Sequence, residues 1–325
     1  MKLRNLGKTG LAVSEIGLGL WQLGGDFGEV SETIATEILT TARAQGVTFW
    51  DTADVYGGGL SERRVGGFAD KVGVVLATKL GRGPQFDGMR AYTRDRVRDS
   101  LQGSAKRLGV AQIDLAQLHC IPIEILRDGE IFIWLDDLRA DGLIGHWGAS
   151  VETVEQGQLA LRAPGCASLQ TIFNLFRQDA VDSLLPQAQA QGVGIIVRLP
   201  LASGLLSGKM TRQTAFSAQD HRLYNRDGQA FFVGETFSGL PYDTGVDLAQ
   251  ALMAHLPEGW TLADLALRWI LDHPAVSSVI AGVTKPAQLM QNIRASDLPP
   301  LGADLHRALK DFYLTDVRPH VRGGI

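Results

Sequence analysis

The chain has 325 residues, 45% of them hydrophobic and 20% charged, with a formal net charge of -4. So mild a balance, without a long run of one sign, argues against a surface built for nucleic acid or for an anionic membrane. Two cysteines, Cys120 and Cys166, are too few for a disulfide scaffold and fit a reducing compartment. The charged N-terminus has no signal-type apolar stretch behind it and no apolar run is long enough to span a bilayer, so the cytoplasm is the expected location.

The opening MKLRNLGKTGLAVSE carries apolar residues on both sides of a Gly-Lys-Thr-Gly turn, which predicts a β-hairpin placed to plug the bottom of a barrel. Short apolar runs then alternate with longer amphipathic segments, the pattern of βαβ units on a parallel sheet. The predicted strands are Ile16 to Leu20, Thr48 to Thr52, Val74 to Lys79, Ile113 to His119, Ile144 to Ser150, Leu169 to Asn174, Val193 to Leu199 and Val276 to Ala281. Between them lie helical stripes such as Val97, Leu101, Ala105 and Leu108. Another is Leu262, Leu265, Ala266, Trp269 and Ile270, opened by Thr261 three places before Asp264 in the manner of a capping box. Eight strands with a crossover helix each favour closure into a (β/α)8 TIM barrel over an open doubly wound sheet. The connection from Leu201 to Trp260, after the seventh strand, is out of proportion. A stripe over Gly245 to Leu256 at Val246, Ala249, Leu252, Met253 and Leu256 predicts an extra helix inside it. With no linker, low-complexity tract or further repeat, residues 1–325 read as one barrel domain.

In such a barrel, chemistry sits where the carboxyl ends of the strands converge. The second strand runs into FWDTADVYGGGLSE, with Asp51 at its tip and Tyr56 in the glycine-rich loop after it. The third ends ATK at Lys79 and the fourth DLAQLH at His119. Singly, a cap, a packed turn, a snorkelling amine and a core histidine would explain these residues. Jointly, burying an acid, a phenol, an amine and an imidazole at neighbouring strand tips is costly without a use. The expected division of labour has the Lys79 ammonium lowering the Tyr56 pKa and Asp51 keeping Lys79 charged. His119 would donate to a substrate oxygen, and Tyr56 would serve as general acid or base.

These motifs resemble the aldo-keto reductase superfamily over nearly the whole chain. The resemblance implies a (β/α)8 barrel in which Asp51, Tyr56, Lys79 and His119 form a catalytic tetrad for hydride transfer between a nicotinamide cofactor and a carbonyl or alcohol carbon. The usual dinucleotide fingerprint is missing, since Gly17 and Gly19 are followed by Gln22 where the third glycine belongs; Gly204 to Lys209 is one residue short of a P-loop. Barrels instead bind phosphate through the loops after strands seven and eight, and RLPLASGLLSGK and AGVTKPAQLMQN suit that task, with Pro286 at a helix start. By the resemblance, cofactor contacts fall on Leu20, Asp51, Leu199, Pro200, Leu201, Ser203, Gly204 and Lys209, and on Gly282, Val283, Thr284, Lys285, Gln288, Gln291 and Asn292. Ser150 and Gln170 would hold the nicotinamide carboxamide.

Arg198 stands where many relatives stack an aromatic ring on the nicotinamide, and its planar guanidinium is expected to stack in its place. Val151 replaces a frequent asparagine, and Thr284 a frequent basic residue, so the expected preference for NADP(H) over NAD(H) rests on Lys285 and on an arginine from the long loop. Trp21, with Tyr56 and His119, is expected to wall the substrate pocket. His146, Trp147, Tyr224, Asn225 and Arg226 are weaker pocket candidates. The histidines are scattered, without metal-ligand spacing, so no metal is expected. The expected partner is a small carbonyl or alcohol compound, with aldehydes, ketones, sugars and pyridoxal-like compounds all open. Two other readings stand beside this one: a nicotinamide-binding regulatory barrel without turnover, and an aldolase using Lys79 as a Schiff base. Against the first, the four-residue site reads as complete, and no N-terminal extension is expected to act as a tether.

Overall fold

The computed structural model describes residues 1–324. Leu3–Asn5 (β1) and Ala12–Ser14 (β2) pair antiparallel, Leu3 opposite Ser14, as the predicted hairpin. Eight further strands follow: Ile16–Gly19 (β3), Phe49–Asp51 (β4), Val75–Leu80 (β5), Ile113–His119 (β6), Ile144–Ser150 (β7), Cys166–Ile172 (β8), Gly194–Arg198 (β9) and Val276–Gly282 (β10). Each pairs in parallel with the next, and β10 returns to β3, closing the predicted barrel. The start of β8 lies earlier than the expected Leu169. Cys166, Ala167 and Ser168 carry no β-branched signal, yet Cys166 pairs with Trp147 across a register shift.

The hairpin closes the bottom of the barrel. Leu6 and Val13 pack with Phe49, Ala77, Leu115, Ile196 and Ile280, residues of β4, β5, β6, β9 and β10. Arg4 fastens the plug, reaching Glu15 at 2.7 Å and the carbonyl oxygens of Leu271 and Val276 at 2.7 and 3.0 Å. On the outside, the helix Arg94–Leu108 buries the expected stripe Val97, Leu101, Ala105 and Leu108. The Thr93 hydroxyl accepts from Arg96 N at its start, and Gly109, at φ 68°, ends it. Thr261 and Asp264 form the expected capping box on Leu262–Leu271, a helix buried on every side.

The long connection folds over the barrel, and its segment Ala202–Ser207 packs against that helix on one side. It holds a left-handed kink at Ala202–Gly204, a short helix His221–Tyr224 and a helix Tyr242–Leu252 that tightens into a 3-10 turn at Met253–His255. The extra helix thus starts before the expected Gly245, directly after Pro241, whose fixed φ suits an entry turn. Ala249 and Leu252 are buried as the stripe requires, while Met253, expected in the same stripe, faces solvent because the 3-10 turn rotates it off the face.

Candidate active site

At the carboxyl end of the barrel, Asp51, Lys79 and His119 sit on the tips of β4, β5 and β6, and Tyr56 follows β4 in a glycine turn. All four are buried or nearly so, and the structure brings them together. Lys79 Nζ donates to Asp51 Oδ2 at 2.5 Å, to the Thr52 carbonyl oxygen at 2.9 Å and to the Tyr56 hydroxyl at 3.1 Å. An ammonium has three N–H groups, so every one is engaged. Because the Tyr56 oxygen accepts from Lys79, its own O–H is left for the cavity.

Burial works against the Lys79 charge, but Asp51 and Tyr56 together hold its pKa above the ordinary range, as expected of an ammonium facing a carboxylate. For Tyr56 the expectation reverses. Burial pushes the phenol up, and the downward pull of Lys79, offset in part by Asp51, does not overcome it. Tyr56 is therefore held as a phenol. Burial also drives His119 well below its usual pKa, aided by the cations of Arg82, Lys79 and Arg198, so the imidazole is neutral. Its ring meets Tyr56 edge-on at 5.8 Å, and its Nδ1 is buried with no protein partner.

The cavity above these groups has a volume of about 530 Å³. Asp51, Tyr56 and His119 reach its wall at one end. From there it runs past Leu20, Gln170, Arg198, Leu199, Pro200, Leu201, Ser203, Gly204 and Lys209 to Gly282, Val283, Thr284, Gln288, Gln291 and Asn292. Trp21 forms the side wall, its ring 5.8 Å from and nearly parallel to that of Tyr56. Two expected residues stand outside the wall. Lys285 is exposed on the surface, and Ser150 lies behind Gln170, donating to its Oε1 at 3.3 Å.

Several predicted contacts are already engaged within the protein. Gln170 Nε2 donates to Asp51 Oδ1 at 2.9 Å and to Gln117 Oε1 at 3.2 Å. Gln288 Oε1 accepts from the backbone N of Thr284 and of Lys285 at 2.7 and 3.2 Å, capping the helix Pro286–Ile293. The Ser203 hydroxyl binds the long loop at Phe237 N and the Glu235 carbonyl oxygen. Arg198 does not lie as a free plate. Its guanidinium meets the Glu235 carboxylate at 3.2 Å, and donates to the Val151 carbonyl oxygen at 3.1 Å and to Cys120 Sγ at 3.4 Å. Of the weaker candidates only Tyr224 reaches the cavity. Trp147 is fully buried against Phe132, Asn225 holds loop backbone, and Arg226 lies over Phe216 and Tyr242.

Four residues near the site were missed from sequence: Gln117, Arg82, Glu152 and Glu235. Gln117 Nε2 donates to Asp51 Oδ1 at 2.8 Å, and its signal was available, since it stands two places before His119 on the same face of β6. Glu235 carries no local signal, because only the folding of the long loop brings it to Arg82 and Arg198.

The groove fits an elongated dinucleotide. Gln22 Oε1 is buried without a protein partner, and beside it Gly282 is bare where a Cβ would lie 2.0 Å from the Gln22 side chain. Leu199, Ala202 and Ser203 all take positive φ in the adjoining segment, the kind of backbone strain that concentrates at ligand sites.

A closed parallel barrel with these four groups gathered at the carboxyl end of its strands is the architecture of a (β/α)8 barrel with a polar site at its mouth. A model of the Aldo/keto reductase family matches residues 15–313, and the chain belongs to that family. It is 33% identical to aldo-keto reductase YhdN of Bacillus subtilis (strain 168), over 89% of this chain and 87% of that protein. It is also 31% identical to a probable voltage-gated potassium channel subunit beta of Oryza sativa subsp. japonica, with 93% of each covered. Among solved structures, the holo form of aldo-keto reductase AKR11C1 from Bacillus halodurans matches at a TM-score of 0.76 and 26% identity, covering 96% of each chain. The glycerol dehydrogenase AKR11B4 from Gluconobacter oxydans matches at 0.76 and 26%, covering 99% of this chain and 97% of that one.

Proposed function

We propose that this protein is a cytoplasmic NADP(H)-dependent oxidoreductase that interconverts a carbonyl compound and its alcohol, with Tyr56 as the general acid and base. The dinucleotide, when bound, supplies or accepts the hydride, which no side chain can do. Leu199 to Gly204 and Lys209 on one side, and Gly282 to Asn292 on the other, would hold it along the groove. The preference for a phosphate-bearing adenosine rests on Lys285 and on an arginine of the long loop, of which Arg222 lines the cavity, and NAD(H) is the weaker carrier on this reading.

The observation that carries the proposal is the saturation of Lys79. With its three N–H groups fixed, the ammonium orients the Tyr56 oxygen and leaves the phenolic proton directed by the cavity. In reduction Tyr56 gives that proton to the substrate oxygen while neutral His119 donates a hydrogen bond to the same oxygen. The adjacent Lys79 charge stabilises the phenolate this leaves, and in oxidation that phenolate takes the proton back from the alcohol. Asp51 acts through Lys79, and Gln117 and Gln170 hold Asp51.

Replacing Tyr56 by Phe removes the proton and keeps the ring. We expect Tyr56→Phe to bind NADPH as the parent does and to lose about 10²–10⁴-fold in turnover, the usual worth of a positioned acid. An absorbance assay at the best aldehyde measures this, and a variant turning over at the parent rate would refute the assignment. Fluorescence titrations with NADPH and NADH test the carrier. Tighter binding of NADH would overturn the stated preference.

The likeness to proteins named as potassium channel β subunits in Oryza sativa and Arabidopsis thaliana supports a second reading, a cofactor-binding barrel that signals to a partner. It predicts dinucleotide binding with no absorbance change against any carbonyl. The Schiff-base reading asks for a neutral Lys79 amine, whereas Asp51 and Tyr56 favour the ammonium. Borohydride trapping with substrate is expected to leave the chain unmodified.

A further inference from the structure

The substrate end of the cavity holds more positive charge than Tyr56 and His119 require. Arg82, just past β5, and Arg198, at the tip of β9, both line the wall there. Left alone, two guanidinium groups would form a receptor for a carboxylate. They are not alone. The long loop inserts Glu235 between them, and its carboxylate meets Arg82 at 2.9 and 3.1 Å and Arg198 at 3.2 Å. The Glu235 side chain is only 3% exposed, so this bridge is shielded from water and salt. Burial opposes the Glu235 charge, but Arg198 and Arg82 outweigh it and hold the carboxyl below the usual range. Glu152 lies beside the bridge, raised above the usual range by burial and by Glu235.

Resting on the reading of the site as a carbonyl-reducing one, we propose that Glu235 sets its charge selectivity: it occupies the guanidinium edges that an anionic substrate would need, so the pocket takes uncharged carbonyl compounds. An incoming carboxylate would compete for edges already filled, facing a like charge that the fold does not release. A neutral carbonyl bearing a planar apolar body meets Trp21 and Phe231 instead, and Phe231 is itself backed by Arg82 at 5.0 Å.

The test uses two aldehydes of one shape, 4-carbamoylbenzaldehyde and 4-carboxybenzaldehyde, differing only in charge. Binding is followed by tryptophan emission, to which Trp21 beside Tyr56 contributes, so no turnover is needed. The parent is expected to bind the amide at least about tenfold more tightly than the acid, a modest share of the cost of juxtaposing like charges. In Glu235→Gln, which keeps the shape and removes the charge, the preference is expected to fall by about tenfold or to invert. In Arg82→Gln it is expected to persist or widen, and this variant carries the test if Glu235→Gln does not fold. The proposal is overturned if the parent binds the acid as tightly as the amide or binds neither. It is equally overturned if a Glu235→Gln protein of parental melting temperature keeps the parental ratio, or if the ratio falls in Arg82→Gln. Failure of the oxidoreductase reading shows separately, as binding selectivity without oxidation of NADPH by either aldehyde.

Discussion

A lysine beside a tyrosine acidifies the phenol in water, yet Tyr56 rises above its ordinary value here. The reason is the burial that makes the site useful. Low polarity penalises the phenolate, and the Asp51 carboxylate that holds Lys79 in place returns part of the gain. On the proposed function, the site would store a proton until an incoming substrate oxygen gives it somewhere to go. The geometry of that store depends on Asp51, whose Oδ1 is held by the Nε2 groups of Gln117 and Gln170 at 2.8 and 2.9 Å. Replacing Gln117 by Leu removes one donor from a fully buried carboxylate and is expected to destabilise the fold by about 1–3 kcal/mol, read by urea denaturation. It should also lower kcat with KM little changed, because Gln117 does not reach the cavity wall. A parental kcat in the folded variant would show that Asp51 needs no such support.

The long connection docks on the barrel through an aromatic stack. His221 lies with its ring 4.6 Å from Trp21 and 4.4 Å from Phe27, and its backbone N donates to the Asp26 carbonyl oxygen at 3.1 Å. Burial pushes the His221 imidazole down to about 4, against the opposing pull of Asp220. Its folded pKa therefore lies below its unfolded value of 6.5. Between those values the unfolded chain binds a proton that the folded one refuses, so the His221 contribution is complete above about pH 6.5 and is lost as pH falls through 4. A shift of this size corresponds to roughly 3 kcal/mol. Melting temperatures of the parent and of His221→Phe should diverge as pH drops from 7 to 4, with the parent falling faster. Parallel curves would mean that His221 does not titrate with unfolding. Loop placement of this kind sets the roof of the pocket, and with it the substrate.

The whole molecule is a barrel closed at one end by its own hairpin and open at the other for chemistry. Phe49 is fully buried at the closed end, among Leu6, Val13, Ala77, Leu115, Ile196 and Ile280. Phe49→Ala is expected to cost about 3–5 kcal/mol, seen as a lower urea midpoint with an unchanged slope. A loss under about 1 kcal/mol would mean the plug collapses into the gap.

Much of this was legible in the chain because it is local. Short continuous apolar runs marked the barrel strands, and Val97, Leu101, Ala105 and Leu108 marked a helix face. Asp51, Lys79 and His119 stood out as polar residues ending apolar strands, and Tyr56 stood a few residues beyond one. Gln117 obeyed the same rule and was legible though unread. What the tertiary structure alone decided are the pairings between residues far apart in sequence: Glu235 between Arg82 and Arg198, Gln170 turned to Asp51, and His221 wedged against Trp21. The net rise of the Tyr56 pKa belongs with them. Strand and helix periodicity is written residue by residue, whereas ion-pair partners and local polarity depend on which distant segments share a space from which water has been expelled.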